Sequence, residues 1–228
     1  MSPLWSEIGY ELAQWLCLPA LTLAYSLRAE GGHRVPPSGP VLLAANHQSF
    51  LDPLVIGASV RRHLYYLARS TLFRHPWFAA LIRAFHAVPI DQEGIGKEGL
   101  KTVLELLKEG RAVLLFPEGH RTSDGAMQPL RPGIELLIRR ARVPVVPVGL
   151  AGAFEAWPRQ ARWPSLAPLF LPARRGALAV AVGPPISPES LLRLPREDVL
   201  RELAERMRRM QERAERLRRR PPEERRVR

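Results

Sequence analysis

The chain has 228 residues, of which 46% are hydrophobic and 25% are charged. This composition is typical of a globular protein with one full core, and it excludes a disordered chain. Lysine and arginine outnumber aspartate and glutamate by 34 to 22, so the formal net charge of +12 favours anionic partners such as nucleic acid, an anionic membrane surface or a phosphorylated substrate. Cys17 is the only cysteine, which excludes an intrachain disulfide and a thiolate metal cage.

The N-terminal segment, residues 1–30, is apolar but too short to span a bilayer. Its first apolar side chains recur at helical spacing: Trp5, Ile8, Leu12 and Trp15. The apolar run from Trp15 to Leu27 is interrupted by Pro19 and falls short of the ~20 residues of a spanning helix. We therefore predict an amphipathic helical hairpin, which either packs on the core or docks in a membrane interface. The segment has no export signal, which favours a cytoplasmic location.

Residues 31–188 alternate short apolar runs with helical patterns, each bounded by Gly, Pro or Asn. The predicted strands are Val41–Ala45, His63–Ala68, Ala87–Ile90, Ala112–Phe116, Val143–Leu150 and Ala177–Val182. The predicted helices are Pro53–Val60, Thr71–Phe85, Gly96–Lys108 and Gly133–Arg140. Strands separated by helices predict an α/β domain with a largely parallel sheet covered by helices. The proline-rich residues 151–176 are expected to form a loop or lid.

Residues 189–228 form a third part, rich in arginine and glutamate. Apolar residues recur in it at alternating spacings of three and four: Leu200, Leu203, Met207, Met210, Ala214 and Leu217. This stripe predicts a basic C-terminal helix that docks on the domain. A dimeric coiled coil and a membrane-contacting helix are the alternatives that the pattern leaves open.

The stretch "AANHQSFLDPL", residues 44–54, carries the first candidate site. Asp52 precedes Pro53, which is typical of a helix N-cap, and Ser49 with Asp52 fits a capping pattern in another frame. His47 follows a predicted strand in the turn where α/β sheets place ligands. A carboxylate bonded to one ring nitrogen would leave the other free to take a proton, so His47 and Asp52 are a candidate general-base pair acting on a substrate hydroxyl.

The second candidate site is "LLFPEGHRTSDG", Leu114–Gly125. Gly119 is expected to adopt a positive φ, and the planar fork of Arg121 suits phosphate or carboxylate. A surface ion pair between Glu118 and Arg121 is the alternative. Arg131 follows in "LRPGIELL".

Two other classes of site have little support. The six histidines show no i, i+4 pair and no His-Glu-x-x-His pattern, so we expect no metal site. A non-catalytic protein that binds nucleic acid or anionic membranes through its basic surface is the alternative from another class. No recognition-helix, zinc-finger or RNA-binding pattern appears, so we expect no nucleic-acid partner.

Four blocks, in order, resemble the glycerolipid acyltransferases. "NHQSFLD" is similar to that family's His-x4-Asp signature, and "FPEGHRT" resembles its Phe-Pro-Glu-Gly-Thr-Arg block. "HAVPIDQ" and "VPVVPVGLAG" are similar to its intermediate and terminal blocks. The similarity spans residues 25–185, and the pattern is nearest to the bacterial 1-acylglycerol-3-phosphate acyltransferases.

The resemblance implies a mechanism. His47 would deprotonate the hydroxyl of a lysophospholipid, and Asp52 would orient the ring. The oxygen would attack the thioester of acyl-CoA or acyl carrier protein, which serve as co-substrates, with no further cofactor. The family's fold and activity also imply a peripheral or monotopic place on the cytoplasmic face of the inner membrane, against its anionic surface.

The resemblance also assigns binding residues. The block with Glu118, Gly119 and Arg121 would bind the acceptor's phosphate, with Arg131 as the basic residue that follows. Asn46, directly before His47, and Ser49, two residues after it, are further candidates for substrate contact.

Two positions depart from the family's pattern. The family has an arginine for phosphate where this chain has Gln92, which makes another lysolipid, such as a lyso-aminolipid, the alternative acceptor. Arg69 or Lys97 are candidates to replace that charge. His120 stands where the family has threonine.

Overall fold

The computed structural model describes residues 3–91 and 96–219, and its centre is one seven-stranded sheet. The spatial order of the strands is β1-β7-β6-β2-β5-β3-β4. Their bounds are β1 (Arg28–Glu30), β2 (Val41–Ala45), β3 (Leu64–Arg69), β4 (Ala87–Ile90), β5 (Ala112–Leu115), β6 (Val145–Ala151) and β7 (Ala179–Val182). All neighbours pair in parallel except β6 and β7. The predicted largely parallel α/β sheet is therefore confirmed.

Helices cover both faces of the sheet. Their bounds are α1 (Pro3–Tyr25), α2 (Asp52–Ser59), α3 (Pro76–Ala84), α4 (Lys97–Lys108), α5 (Gly133–Ala141), α6 (Ala153–Ala156), α7 (Pro188–Leu192) and α8 (Arg196–Leu217). Two short 3-10 turns lie at Gly32–Arg34 and Ser70–Arg74. Central β2 is buried on both sides: Leu43 packs in the cluster that α1, α2 and α3 cover, and Leu42 packs in the cluster beneath α4, α5 and α8. An all-apolar strand of this kind is what a sheet covered on both faces requires.

The predicted N-terminal hairpin is wrong, because residues 3–25 form one continuous helix with Pro19 inside it. Proline removes one backbone donor, and so leaves the carbonyl of Trp15 without its helical partner. Pro19 is exposed and Trp15 is 79% exposed, so that carbonyl lies on the face where water can satisfy it. None of the helices in the described part of the chain has the length and apolar content needed to cross a membrane.

The predicted helix Thr71–Phe85 is also wrong as a single element. It consists of a 3-10 turn and then α3, which begins at Pro76. The residue before a proline is pushed towards extended backbone, and His75 has φ −90° and ψ 114°. The chain therefore turns at this dipeptide.

The C-terminal helix α8 docks on the sheet, as the first of the three interpretations expected. Leu203, Met207 and Ala214 of the predicted stripe are buried. The backbone of α8 packs so tightly on β6 that a Cβ on Gly149 would stand 2.0 Å from the carbonyl carbon of Met210. Residues 151–176 are mainly irregular, as expected, apart from the short helix α6.

Candidate active site

The candidate site lies at the carboxyl edge of the sheet, where β2 and β5 end side by side. His47 follows β2 and Glu118 follows β5, and parallel register between the strands brings the two loops together. The amide of Thr122 donates to the carbonyl of His47 over 2.9 Å, which ties the two loops. The two motifs that the sequence singled out thus form one site, at the edge where parallel sheets place ligands.

His47 and Asp52 form a hydrogen-bonded pair. Nδ1 of His47 lies 2.8 Å from Oδ2 of Asp52, which is fully buried, while the histidine side chain is 19% exposed. The imidazole ring stacks on Phe116, with ring centroids 4.0 Å apart and an interplanar angle of 16°. These contacts fix the ring and leave Nε2 as the nitrogen that can exchange a proton with a bound molecule.

The prediction that Asp52 caps α2 is wrong. Asp52 is the first helical residue, and the cap position is held by Leu51, which makes no side-chain capping bond. The carboxylate faces back into the turn, where Oδ2 accepts from the amides of Gln48 and Ser49 over 2.5 and 2.8 Å. The same oxygen therefore orders the turn and orients His47.

Glu118 is fully buried, and its carboxylate faces backbone amides instead of open space. Its Oε1 accepts from the amide of His47, and its Oε2 accepts from the amide of Gln128, each over 2.6 Å. Burial raises the pKa of Glu118 to about 7; the two amide hydrogen bonds oppose that rise, and the nearby Asp52 adds to it. Glu118 forms no ion pair with Arg121 among the described residues, so the alternative of a surface ion pair is not supported.

Asn46 and Ser49 are likewise buried, with their polar atoms bonded to the protein. Asn46 exchanges two hydrogen bonds with the backbone of Leu150, over 2.8 and 3.0 Å, and so joins the ends of β2 and β6. Ser49 donates to the carbonyl of Trp157 over 2.8 Å. These side chains fix the loops around the pair.

Arg121 places its guanidinium group near the His47–Asp52 pair. Its guanidinium carbon lies 3.4 Å from the centroid of the Phe50 ring, and its buried Nη1 has no hydrogen-bond partner in the described part of the chain. Burial lowers the pKa of Arg121, Arg159 and Arg69 lower it further, and Asp52 opposes them. A planar guanidinium donor left unsatisfied in a cationic setting suits an anion.

Gly119 and Arg131 shape the loop that carries this cation. Gly119 has φ +78°, which confirms the expected turn. A Cβ there would stand 3.2 Å from the Arg131 side chain, which is exposed and donates through Nε to the carbonyl of Glu118 over 3.3 Å. Arg131 thus packs against the exposed side of the loop that contains Glu118 and Gly119.

Gln92 lies outside the described residues. Of the two proposed replacements, Arg69 ends β3 and acts on the pKa of Arg121, whereas Lys97 begins α4 and has no recorded contact with the site. His120 is exposed, and its Nδ1 lies 3.0 Å from the carbonyl of Glu118.

Sequence reasoning did not assign roles to the aromatic residues of the site. Phe116 stacks on the histidine, Phe50 stacks under Arg121, and Phe50 also meets Trp157 at 5.6 Å. Phe116 and Phe50 each lie beside a charged motif in the sequence, and this position could have indicated their roles. Apolar residues near strand ends are usually buried in the core, so the sequence alone did not distinguish them. Gln48 was also overlooked: it is 5% exposed and its Oε1 has no partner in the described part of the chain.

A hydrogen-bonded histidine–aspartate pair at the carboxyl edge of a parallel sheet, beside an arginine with an unsatisfied donor, defines an α/β site in which a histidine can act as a base. The family model described as "Acyltransferase" matches residues 26–151. The chain belongs to this acyltransferase family, and it is an enzyme of that class.

Individual relatives agree with the family. The chain is 29% identical to a 1-acyl-sn-glycerol-3-phosphate acyltransferase of Bacillus subtilis over 196 residues, 83% of this chain and 90% of the relative. It is 33% identical to 1-acyl-sn-glycerol-3-phosphate acyltransferase alpha of Homo sapiens over 143 residues, 58% of this chain and 49% of the relative.

A crystal structure shares the fold. The 1-acyl-sn-glycerophosphate acyltransferase PlsC of Thermotoga maritima superposes with a TM-score of 0.73 over 91% of this chain and 79% of that one. At 23% identity this likeness shows the fold alone.

Proposed function

We propose that the protein transfers an acyl chain from a thioester to the free hydroxyl of 1-acylglycerol-3-phosphate, giving phosphatidate. The observation that carries the proposal is the His47–Asp52 pair, with Nε2 of the histidine available, beside the unsatisfied guanidinium of Arg121. The names of the relatives from Bacillus subtilis and Homo sapiens support the same acceptor.

The reaction follows from the geometry of the pair. Nε2 of His47 takes the proton of the acceptor hydroxyl while its oxygen bonds to the thioester carbonyl carbon. The Asp52 carboxylate, bonded at Nδ1, stabilises the imidazolium that forms. Collapse of the tetrahedral intermediate breaks the carbon–sulfur bond, and the thiolate receives the proton back from the imidazolium. The step needs the two substrates and no further cofactor.

The acceptor's phosphate is assigned to Arg121, supported by Arg69 and Arg159. The cationic setting that these two arginines create at Arg121 would be neutralised by a phosphate dianion. This arrangement would supply charge for a phosphate without an arginine at position 92, and so supports lysophosphatidate over the alternative lyso-aminolipid acceptor.

Asn46, Ser49 and Glu118 are assigned a positioning role instead of substrate contact. All three are buried and bonded to protein groups at the ends of the strands that frame His47.

The protein is proposed to act peripherally, on the anionic cytoplasmic surface of a membrane. Large apolar side chains are exposed on α1 and on the irregular segment after α6: Leu12, Trp15, Leu16, Leu23, Trp163 and Phe170. Exposed apolar area of this kind, with a net charge of +12, suits an anionic lipid surface, which would also supply the acceptor.

An acceptor screen tests the proposal. Lysophosphatidate, a lyso-aminolipid and lysophosphatidylcholine would each be offered with acyl-CoA and with acyl carrier protein as donor. Lysophosphatidate is expected to be the best acceptor, and Arg121→Gln is expected to abolish that preference. Preferred acylation of the lyso-aminolipid, or no transfer to any of the three lipids, would refute the assigned acceptor.

A further inference from the structure

A groove of about 810 Å³ opens beside the catalytic turn, between the loop that follows β5, the start of α6 and one side of α8. It reaches the active site at Gln48, the residue next to His47. Arg121, to which the acceptor's phosphate is assigned, does not line it. The groove therefore approaches the turn that carries His47 from a side that Arg121 does not line.

Gln48 has a buried side-chain oxygen that lacks a hydrogen-bond donor in the described part of the chain. Only 5% of the residue is exposed, and Nε2 donates to the carbonyl of Gly125 over 3.2 Å, which fixes the orientation of the amide. Oε1 is buried and has no hydrogen-bond partner in the described part of the chain. A buried carbonyl oxygen of this kind calls for an N–H or O–H from a bound molecule.

The walls of the groove combine apolar side chains with cationic and acidic ones. Of its four carboxylates, Glu155 and Glu215 pair with Arg218, Asp124 accepts from the hydroxyl of Thr122 and the amide of Ala126, and Glu212 is the fourth. Met127 and Phe154 line it, and Phe154 packs on Gly125, where a Cβ would stand 3.2 Å from the ring. Arg208 and Arg216 also line it, eight residues and therefore about 12 Å apart along α8. Within residues 3–91 and 96–219, neither arginine has an acidic group within the 4.0 Å of an ion pair.

We propose that this groove binds the phosphopantetheine arm that carries the acyl chain in both acyl-CoA and acyl carrier protein. Gln48 accepts from the amide N–H nearest the sulfur, Met127 and Phe154 contact the gem-dimethyl group, and Arg208 and Arg216 bind the phosphate. The inference deepens the proposed function and rests on it.

The chemistry of the arm matches the order of these features. Only two methylene groups separate the thioester sulfur from the first amide, so a carbonyl held for attack at His47 brings that N–H to the neighbouring residue. The arm then continues as an uncharged chain that ends in a phosphate. A groove with the unpartnered oxygen of Gln48 at one end and two arginines on a helix face fits that sequence of groups.

Three acyl donors test the proposal: palmitoyl-CoA, palmitoyl acyl carrier protein and palmitoyl-N-acetylcysteamine, which keeps the first amide but lacks the phosphate. Gln48→Ala is expected to raise the KM of all three about tenfold, the loss of one hydrogen bond, and to leave the KM of lysophosphatidate unchanged. The Arg208→Gln, Arg216→Gln double variant is expected to reduce the advantage of the two full donors over the truncated one by at least tenfold.

Matched variants separate this effect from damage to α8. Arg201→Gln with Arg209→Gln removes the same charge from the same helix, at residues that pair with Asp198 and Glu205 and do not line the groove. This control should keep the donor preference. Glu212 lines the groove and would repel the phosphate, so Glu212→Gln should lower the KM of the full donors, a gain that misfolding cannot produce.

The outcomes are distinct. A rise in the KM of both full donors in the groove variants supports the proposal, whereas a rise for one full donor alone would overturn the claim that both carriers use the groove. Unchanged donor KM values in the groove variants, or a rise in the KM of lysophosphatidate instead, would overturn it. A wild-type protein that transfers from none of the three donors would instead refute the proposed function itself.

Discussion

Asp52 and Glu118 show how two buried carboxyl groups take different roles in one site. Asp52 bonds to the imidazole and to two amides on its own side of the turn, whereas Glu118 reaches across from the next loop to the amide of His47. The pKa of Glu118 is raised to about 7 by burial. One residue orients the imidazole of His47, and the other holds the backbone from which the imidazole projects.

The raised pKa of Glu118 predicts a pH dependence of stability. Between the ordinary value of 4.5 and about 7, the folded state keeps a proton that the unfolded state releases. The free energy of unfolding should therefore fall as pH rises through this window, by up to roughly 3 kcal/mol from this group. Denaturant unfolding of wild type and Glu118→Gln at several pH values measures the difference.

Glu118→Gln should lose this part of the pH slope, while exposed Glu98→Gln should keep it. Acyl transfer should also fall in Glu118→Gln, because an amide group can accept from only one of the two backbone N–H groups. Identical pH slopes in wild type and Glu118→Gln would show that the buried carboxyl does not titrate in this way.

At the residue level the sequence predicted the local pairing of side chains better than the long-range supporting contacts. The pairing of His47 with Asp52 and the positive φ of Gly119 followed from residue type and local spacing. The bond between Glu118 and the His47 amide joins positions 71 residues apart, so no local pattern could show it. The sequence therefore predicted that Glu118 binds the substrate, whereas its carboxylate bonds to backbone amides.

At the scale of elements, burial on both faces made the strands easy to predict. β2, β5 and β6 are continuous apolar runs, and their predicted bounds differ from the observed ones by at most two residues. β1 was not predicted because its three residues, "RAE", carry no apolar pattern and form a strand only by pairing with β7. The continuous α1 was not predicted because the position of Pro19 on the exposed face depends on tertiary packing.

The contact between α8 and β6 predicts that Gly149→Ala is destabilising. Its Cβ would stand 2.0 Å from the carbonyl carbon of Met210 and 2.1 Å from the amide nitrogen of Gln211, so α8 must move off the sheet. Overpacking of this kind costs about 1–3 kcal/mol, measured as a fall in the free energy of unfolding. Gly9→Ala, where no atom lies within 4 Å, is the control and should not destabilise α1. Equal stability of Gly149→Ala and wild type would mean that α8 does not dock as described.

At the scale of the whole molecule, the two faces of the sheet differ. The side covered by α1 exposes large apolar side chains such as Trp15 and Leu16, whereas α8 on the other side presents arginine and glutamate. The active site lies at the edge between them. Under the proposed function, this asymmetry would let one face meet lipid while the water-soluble carrier of the acyl chain approaches from the other.

The asymmetry predicts which substitutions weaken membrane binding. Trp15→Glu with Leu16→Glu should reduce sedimentation with anionic vesicles at least tenfold, because the apolar area and the net positive charge act together. Leu136→Glu, at an exposed leucine of α5 on the opposite face, should leave vesicle binding unchanged. Equal loss in both variants would indicate that the added negative charge, and not the α1 face, determines binding.

The most direct test of the account is acyl transfer by His47→Ala. Mass spectrometry would follow a labelled acyl chain from its thioester to lysophosphatidate, with thermal unfolding confirming that each variant is folded. The account predicts that His47→Ala lowers turnover by about 10²–10⁴-fold, the range for loss of a general base, while the exposed His75→Ala retains wild-type turnover. Equal turnover by wild type and folded His47→Ala would contradict the assignment of His47 as the base.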